Sequence, residues 1–243
     1  MKVEELFWKP GRSWQTVRGS CGAASLVIYF GSRKAIEDGA RRTELRARFP
    51  EAIIIGCSTG GQIRGGDVSD EEVVAAAARF EHTRLRVATT LVGDCQGGSI
   101  ACGQTLGAEL AADDLAGVFV LSDGLKVNGS DLVRGIMSKI APGTPLTGGL
   151  AGDGADFNCT VVDASAGPAP NVIGAIGFYG DSIRIGHGSA GGWNIFGPKR
   201  VITRSQGNVL FELDGVSEDV ARAYLRHAGM KLPVSTTVVA RGA

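Results

Sequence analysis

Neither charge nor long apolar runs mark this chain. Lys plus Arg and Asp plus Glu are 25 each in 243 residues. A neutral chain without a basic run lacks the groups that supply most non-specific phosphate affinity, so no nucleic-acid partner is expected. No apolar run approaches the ~18–20 residues that span a bilayer, so no membrane insertion is expected. The start, Met1-Lys2-Val3-Glu4-Glu5, is acidic where a secretory leader needs a basic segment, which points to a cytoplasmic protein. Cysteine is scarce and odd in number: Cys21, Cys57, Cys95, Cys102 and Cys159, with no CxxC. That pattern predicts reduced thiols, neither a disulfide framework nor a zinc site. The three histidines, His82, His187 and His227, have no chelate spacing. No GxxxxGK[ST] phosphate loop occurs.

Glycine, by contrast, is abundant at 37 residues, and it clusters where strands should end. The organising stretch runs from Leu115 to Gly154. Val118-Phe119-Val120-Leu121 reads as a strand buried on both faces, stopped by Ser122-Asp123-Gly124. Asn128, Ser130 and Asp131 offer N-cap oxygens, and Leu132, Val133, Ile136, Met137 and Ile140 repeat at helical spacing. Pro142-Gly143 ends that helix, and a strand from Pro145 runs into Gly148-Gly149-Leu150-Ala151-Gly152-Asp153-Gly154. This is a βαβ unit with parallel strands. Both strands end at one sheet edge, the usual place for ligands in open α/β sheets.

A second unit precedes it: a strand over 25–30, a helix over 35–49, and a strand over 52–55 entering Gly56-Cys57-Ser58-Thr59-Gly60-Gly61. Residues 73–80 and 85–91 read as an antiparallel hairpin turning at Glu81-His82-Thr83, although the alanine run leaves a helix open for the first. A helix is expected over 98–112, and strands over 159–162, 172–178, 183–185, 199–203 and 208–213, before a helix over 220–228. Residues 1–24 read as an irregular arm packed down by Trp8 and Trp14. The expected fold is α/β: a mixed sheet of two similar βαβ-plus-antiparallel-strand halves with helices packed on the sheets. If the halves are duplicates, the GCSTGG and GGLAGDG loops occupy equivalent points and face one site. A separation beyond ~20 Å would count against that.

Two motifs invite sharper readings. Gly56-Cys57-Ser58-Thr59-Gly60 fits G-x-S-x-G, the hydrolase nucleophile elbow, but Gln62-Ile63-Arg64-Gly65 follows where the elbow needs a helix. A Ser or Cys hydrolase at this loop stands as an alternative. Gly186-His187-Gly188-Ser189-Ala190-Gly191 fits G-x-G-x-x-G, yet Trp193 to Pro198 cannot begin the required helix. His187, between glycines, is a candidate haem ligand by accessibility alone.

Four stretches together resemble a FIST-domain protein: IIIGCSTGGQI at 53–63, GVFVLSDGLKVNGSDLVRGI at 117–136, PLTGGLAGDGADFNCTVV at 145–162, and GPKRVITRSQGNVLFELDG at 197–215. The resemblance covers roughly 24–215, leaving 1–23 as an arm and 216–243 as an incomplete start of the C-terminal FIST module. It implies a non-enzymatic, intracellular sensory domain that binds a small, amino-acid-like ligand. One branch implies a haem-binding nitric oxide sensor instead. It also implies a separate signalling partner, such as a histidine kinase or a cyclic-dinucleotide enzyme. The ligand contacts expected are Cys57, Ser58 and Thr59 of one loop, Ser122 and Asp123 of the next, and Gly149, Ala151 and Asp153 of the third. Hydroxyls and backbone N–H groups suit a carboxylate, and an aspartate suits an ammonium.

Overall fold

In the computed structural model, which describes residues 1–186 and 188, the chain opens on β1 (Lys2–Trp8) and β2 (Gln15–Gly19). Strand β3 (Leu26–Gly31), helices α1 (Arg33–Ile36) and α2 (Ala40–Arg48), and strand β4 (Ile53–Ser58) follow. Next come β5 (Gln62–Arg64), β6 (Asp67–Ser69), β7 (Val73–Arg79), β8 (Arg84–Leu91) and α3 (Gly98–Leu110). The central unit is β9 (Leu115–Ser122), α4 (Gly129–Met137) and β10 (Leu146–Leu150). The last described strands are β11 (Val162–Asp163), β12 (Pro168–Ala169) and β13 (Val172–Tyr179).

The strands form a seven-stranded sheet, β12-β11-β4-β3-β7-β1-β2, a four-stranded sheet, β10-β9-β13-β8, and a separate two-stranded ribbon, β5-β6. Alternation along each strand sorts side chains into separate cores. Val27, Tyr29 and Ile54 face Ile36, Leu45 and Phe49 of the first helical segment. Val118 and Val120 face Leu106, Leu132 and Ile136 of α3 and α4. The intervening residues, Leu26, Ile55, Leu121, Ile176 and Phe178, pack together between the sheets. The layers are therefore helix, sheet, sheet, helix, and the expected mixed α/β class is what forms.

Both βαβ units are present with parallel pairs, β3 with β4 and β9 with β10. Asn128 caps α4 by accepting a hydrogen bond from the Asp131 N–H at 3.1 Å. Several expectations need correction. The first helix is two pieces, because Gly39 adopts φ 74° and interrupts it. The 73–80 and 85–91 strands exist but do not pair. Strand β7 lies between β3 and β1, whereas β8 joins β13 in the other sheet. Residues 2–19 are not irregular: β1 pairs with both β2 and β7, while Trp8 and Trp14 pack against the core as expected. Residues 183–185 form no strand. Cys95 and Cys102 are joined as a disulfide, with Cα atoms 5.3 Å apart, so these two are not the reduced thiols expected. The readings over 199–203, 208–213 and 220–228, and that of His187, lie outside the described residues.

The duplication takes a different form from the expected one. In each half the parallel pair is followed by a strand that pairs antiparallel with its first member: β7 with β3, and β13 with β9. The fourth strand is supplied from ahead of the unit, by β1 and by β8. Strand β8 thus belongs to the second half and not the first.

Candidate functional site

Parallel neighbours end at one edge, and the three loops singled out by sequence meet there. The Thr59 N–H donates to Gly31 O at 2.9 Å, and the Gly152 N–H donates to Ser58 O at 2.8 Å. The Ala151 N–H donates to Ser122 O at 2.8 Å. Peptide contacts therefore join the GCSTGG loop to the GGLAGDG loop, and that loop to the Ser122-Asp123 turn. The proximity expected of duplicated loops is met.

Their side chains are spent mostly on one another. Ser58 is fully buried on β4, and its Oγ accepts the Val161 N–H at 2.9 Å. Cys57 is buried, and burial alone pushes its thiol pKa up to about 12, so it holds its proton near neutral pH. The chain continues from this loop into β5, where a nucleophile elbow needs a helix. Thr59 is half-buried, its hydroxyl 2.7 Å from the Gln62 amide. Ser122 and Ala151 are buried, whereas Gly149 is exposed on β10.

Asp123 is only 3% exposed. Its Oδ1 accepts the N–H groups of Leu125 at 2.9 Å and Lys126 at 2.7 Å, which closes the turn into α4. Its Oδ2 accepts the Thr160 hydroxyl at 2.8 Å and the Asn171 N–H at 3.3 Å, which ties that turn to the approach to β13. Asp153 accepts Arg33 Nε at 2.7 Å and the N–H groups of Asn158 at 3.1 Å and Cys159 at 2.9 Å. Burial opposes its charged form. The Cys159 N–H, Arg33 and the Asn158 N–H outweigh burial and hold its pKa below the ordinary aspartate value of 3.8.

The sign of the linkage follows. A carboxyl group with a depressed folded pKa contributes stability that is full above the unfolded value, about pH 4, and is lost as pH falls through the folded value. Glu4 and Glu72, likewise depressed, act in the same direction. Stability measured by urea unfolding is expected to decline below about pH 4. Asp153→Asn is expected to lower stability at neutral pH and to flatten that decline.

Sequence reading missed Arg33, Thr160 and the lining of a cleft beside the Asp123 turn. Arg33 stands at the end of β3, so the strand-end rule that selected the other loops would have selected it too. The cleft, about 350 Å³, is lined by Leu91, Gly93, Asp94, Lys126, Pro170 and Asn171. It lies at the edge where β8 and β9 end and β13 begins. Asp123 holds two of its lining residues, Lys126 and Asn171, by their backbone N–H groups. A second cleft, about 530 Å³, opens at the opposite end of β9 and is lined by Ala116, Pro145, Asp181, Ile183 and Arg184.

Among the described residues no histidine faces these loops. The one described histidine, His82, is in the exposed turn before β8, at the opposite sheet edge. No metal-holding cluster of His, Cys, Asp or Glu occurs among them either.

Two comparisons place the chain. Over 64 residues it is 45% identical to the large ribosomal subunit protein uL16 of Limosilactobacillus reuteri and to that of Levilactobacillus brevis. Those matches cover 26% of this chain and 40% of the ribosomal proteins' length. The FIST N domain pattern matches residues 25–216, which takes in every loop described above. The chain belongs to the FIST N domain family.

Proposed function

We propose that this is a sensory domain that binds a small, amino-acid-like ligand at the carboxyl edge of its parallel strands and signals through a separate partner protein. The observation that carries this reading is the meeting of the three loops at that edge, with a cleft beside the Asp123 turn. Membership of a family of sensory domains supports it. Cys57, Ser58, Thr59, Ser122, Asp123, Gly149, Ala151 and Asp153 frame the site. The buried members set the backbone, and the exposed Gly149 and half-buried Thr59 offer contact. Lys126 and Asp94 line the cleft with opposite charges, the complement of a carboxylate and an ammonium on one small molecule. Ligand uptake would bias the Asp123 turn, which binds backbone from both sides of the cleft, and that turn leads into α4. The ribosomal likeness is a property of a quarter of the chain and carries no part of this reading.

Calorimetry with a panel of the proteinogenic amino acids tests the proposal. At least one is expected to bind, and Lys126→Ala and Asp94→Ala are each expected to weaken it about tenfold or more without changing the unfolding midpoint. Affinity unchanged in both variants would remove the cleft as the site.

A further inference from the structure

The internal repeat exposes a difference between the halves. Tyr29 pairs with Gly56 and Val120 with Gly148, and in both cases a Cβ on the glycine would strike the partner strand's carbonyl oxygen. The next backbone bond also matches, Thr59 N–H to Gly31 O and Ala151 N–H to Ser122 O. Gly56-Cys57-Ser58-Thr59 therefore corresponds to Gly148-Gly149-Leu150-Ala151. A hairpin follows each segment: β5–β6 in the first half and β11–β12 in the second.

What these hairpins do differs. The second-half hairpin crosses to the first half and adds β11 antiparallel to the outer side of β4, with Val162 opposite Cys57 and Asp163 opposite Gly56. The Ser58 N–H, pointing outward, donates to Val161 O at 2.9 Å. Tyr29 locks the added strand by donating to Asp163 at 2.7 Å. The corresponding outer side of β10 carries no strand among the described residues, and Leu150 at its end is 47% exposed. The first-half hairpin pairs only with itself. It holds Ile63 opposite Val68, and the two are 72% and 71% exposed. A strand edge unpaired among the described residues and a hairpin with two exposed apolar side chains are the two sides of a contact that the other half completes.

We propose that the β5–β6 hairpin of one copy of this chain lies on the outer edge of β10 of a second copy, and reciprocally, making a two-fold dimer. The filled position on β4 shows the occupant's form: an antiparallel strand from the loop that follows the parallel pair of the opposite half. A two-fold axis satisfies both edges and both hairpins at once. Main-chain bonds to β10 supply the pairing, and Ile63, Val68 and Leu150 supply the apolar contact.

Light scattering across a micromolar concentration series tests this on the full chain. A dimer is expected. Ile63→Lys and Leu150→Lys, both at exposed positions, are each expected to raise its dissociation constant by roughly tenfold or more while circular dichroism stays unchanged. An equimolar mixture of the two variants is expected to recover part of the dimer, because one intact hairpin then meets one intact edge. A monomer at every concentration overturns the proposal, as does a dimer that survives either substitution or a mixture with no recovery. A monomer whose Leu150 amide is protected from hydrogen exchange would show the edge covered by the chain's own residues, and would overturn it equally.

Discussion

Gly135→Val is expected to lower stability by roughly 3 kcal/mol or more, and the melting temperature by about 6–12 °C. Helices α3 and α4 approach so closely that backbone touches backbone. A Cβ on Gly135 would sit 2.2 Å from Ile100 O and 2.9 Å from Gly103 Cα, and one on Gly103 would sit 2.3 Å from Leu132 O. Alanine in an exposed helix interior gains about 0.5–1 kcal/mol over glycine by propensity, so sign is a competition. Here the obstacle is carbonyl oxygen on a rigid helix, which cannot rotate away as a side chain would. Relief requires the helices to separate, which opens the contact around Cys102, Leu106, Leu132 and Ile136. Because both glycines serve one approach, Gly103→Ala combined with Gly135→Ala is expected to cost less than the sum of the two singly. Additive costs would mean that the helices do not move as units.

Asp123→Ala is expected to cost roughly 3–5 kcal/mol, the largest effect of any single change at the candidate site. The loss follows from what the carboxylate holds: two N–H groups of its own turn, the Thr160 hydroxyl, and the Asn171 N–H. Each bond to this charged acceptor is worth about 1.5–3 kcal/mol, and water reaching the exposed Leu125 and Lys126 end of the turn recovers part of the total. Asp123→Asn keeps the shape but turns an amide NH2 toward donors on one side, so it is expected to restore only part of the stability. Chemical unfolding gives the magnitude, and hydrogen exchange at Leu125 and Asn171 shows where it arises. Loss of exchange protection at Leu125 alone would separate the turn from the approach to β13.

Legibility in the sequence followed local chemistry. The βαβ unit at the centre was readable because an apolar run, an Asn128 cap and a helical repeat all point the same way. The meeting of the three loops was readable because parallel strands must end together. Strand β1 was hidden because its inward positions are Glu4 and Leu6, and a buried glutamate breaks the apolar alternation. That glutamate is accommodated by Arg48, Thr16 and the Cys21 N–H, which come from elements far along the chain. The β7–β8 pairing was misread because two strands joined by four residues favour a hairpin. Here Phe80 instead begins a passage from one sheet to the other, its ring 5.9 Å from Phe178 in the layer between them. The partner of Asp153, Arg33, lies 120 residues away, a distance no local pattern bridges.

The placement of β11 on β4 has a consequence for how such a chain can be divided. Neither half is a module that can be lifted out whole, because the first half's outermost strand is finished by residues of the second. A half-length chain could seal that edge only by borrowing a hairpin from a neighbour. The first half made on its own would therefore expose the outer edge of β4, stripped of its Val162–Cys57 and Asp163–Gly56 pairings.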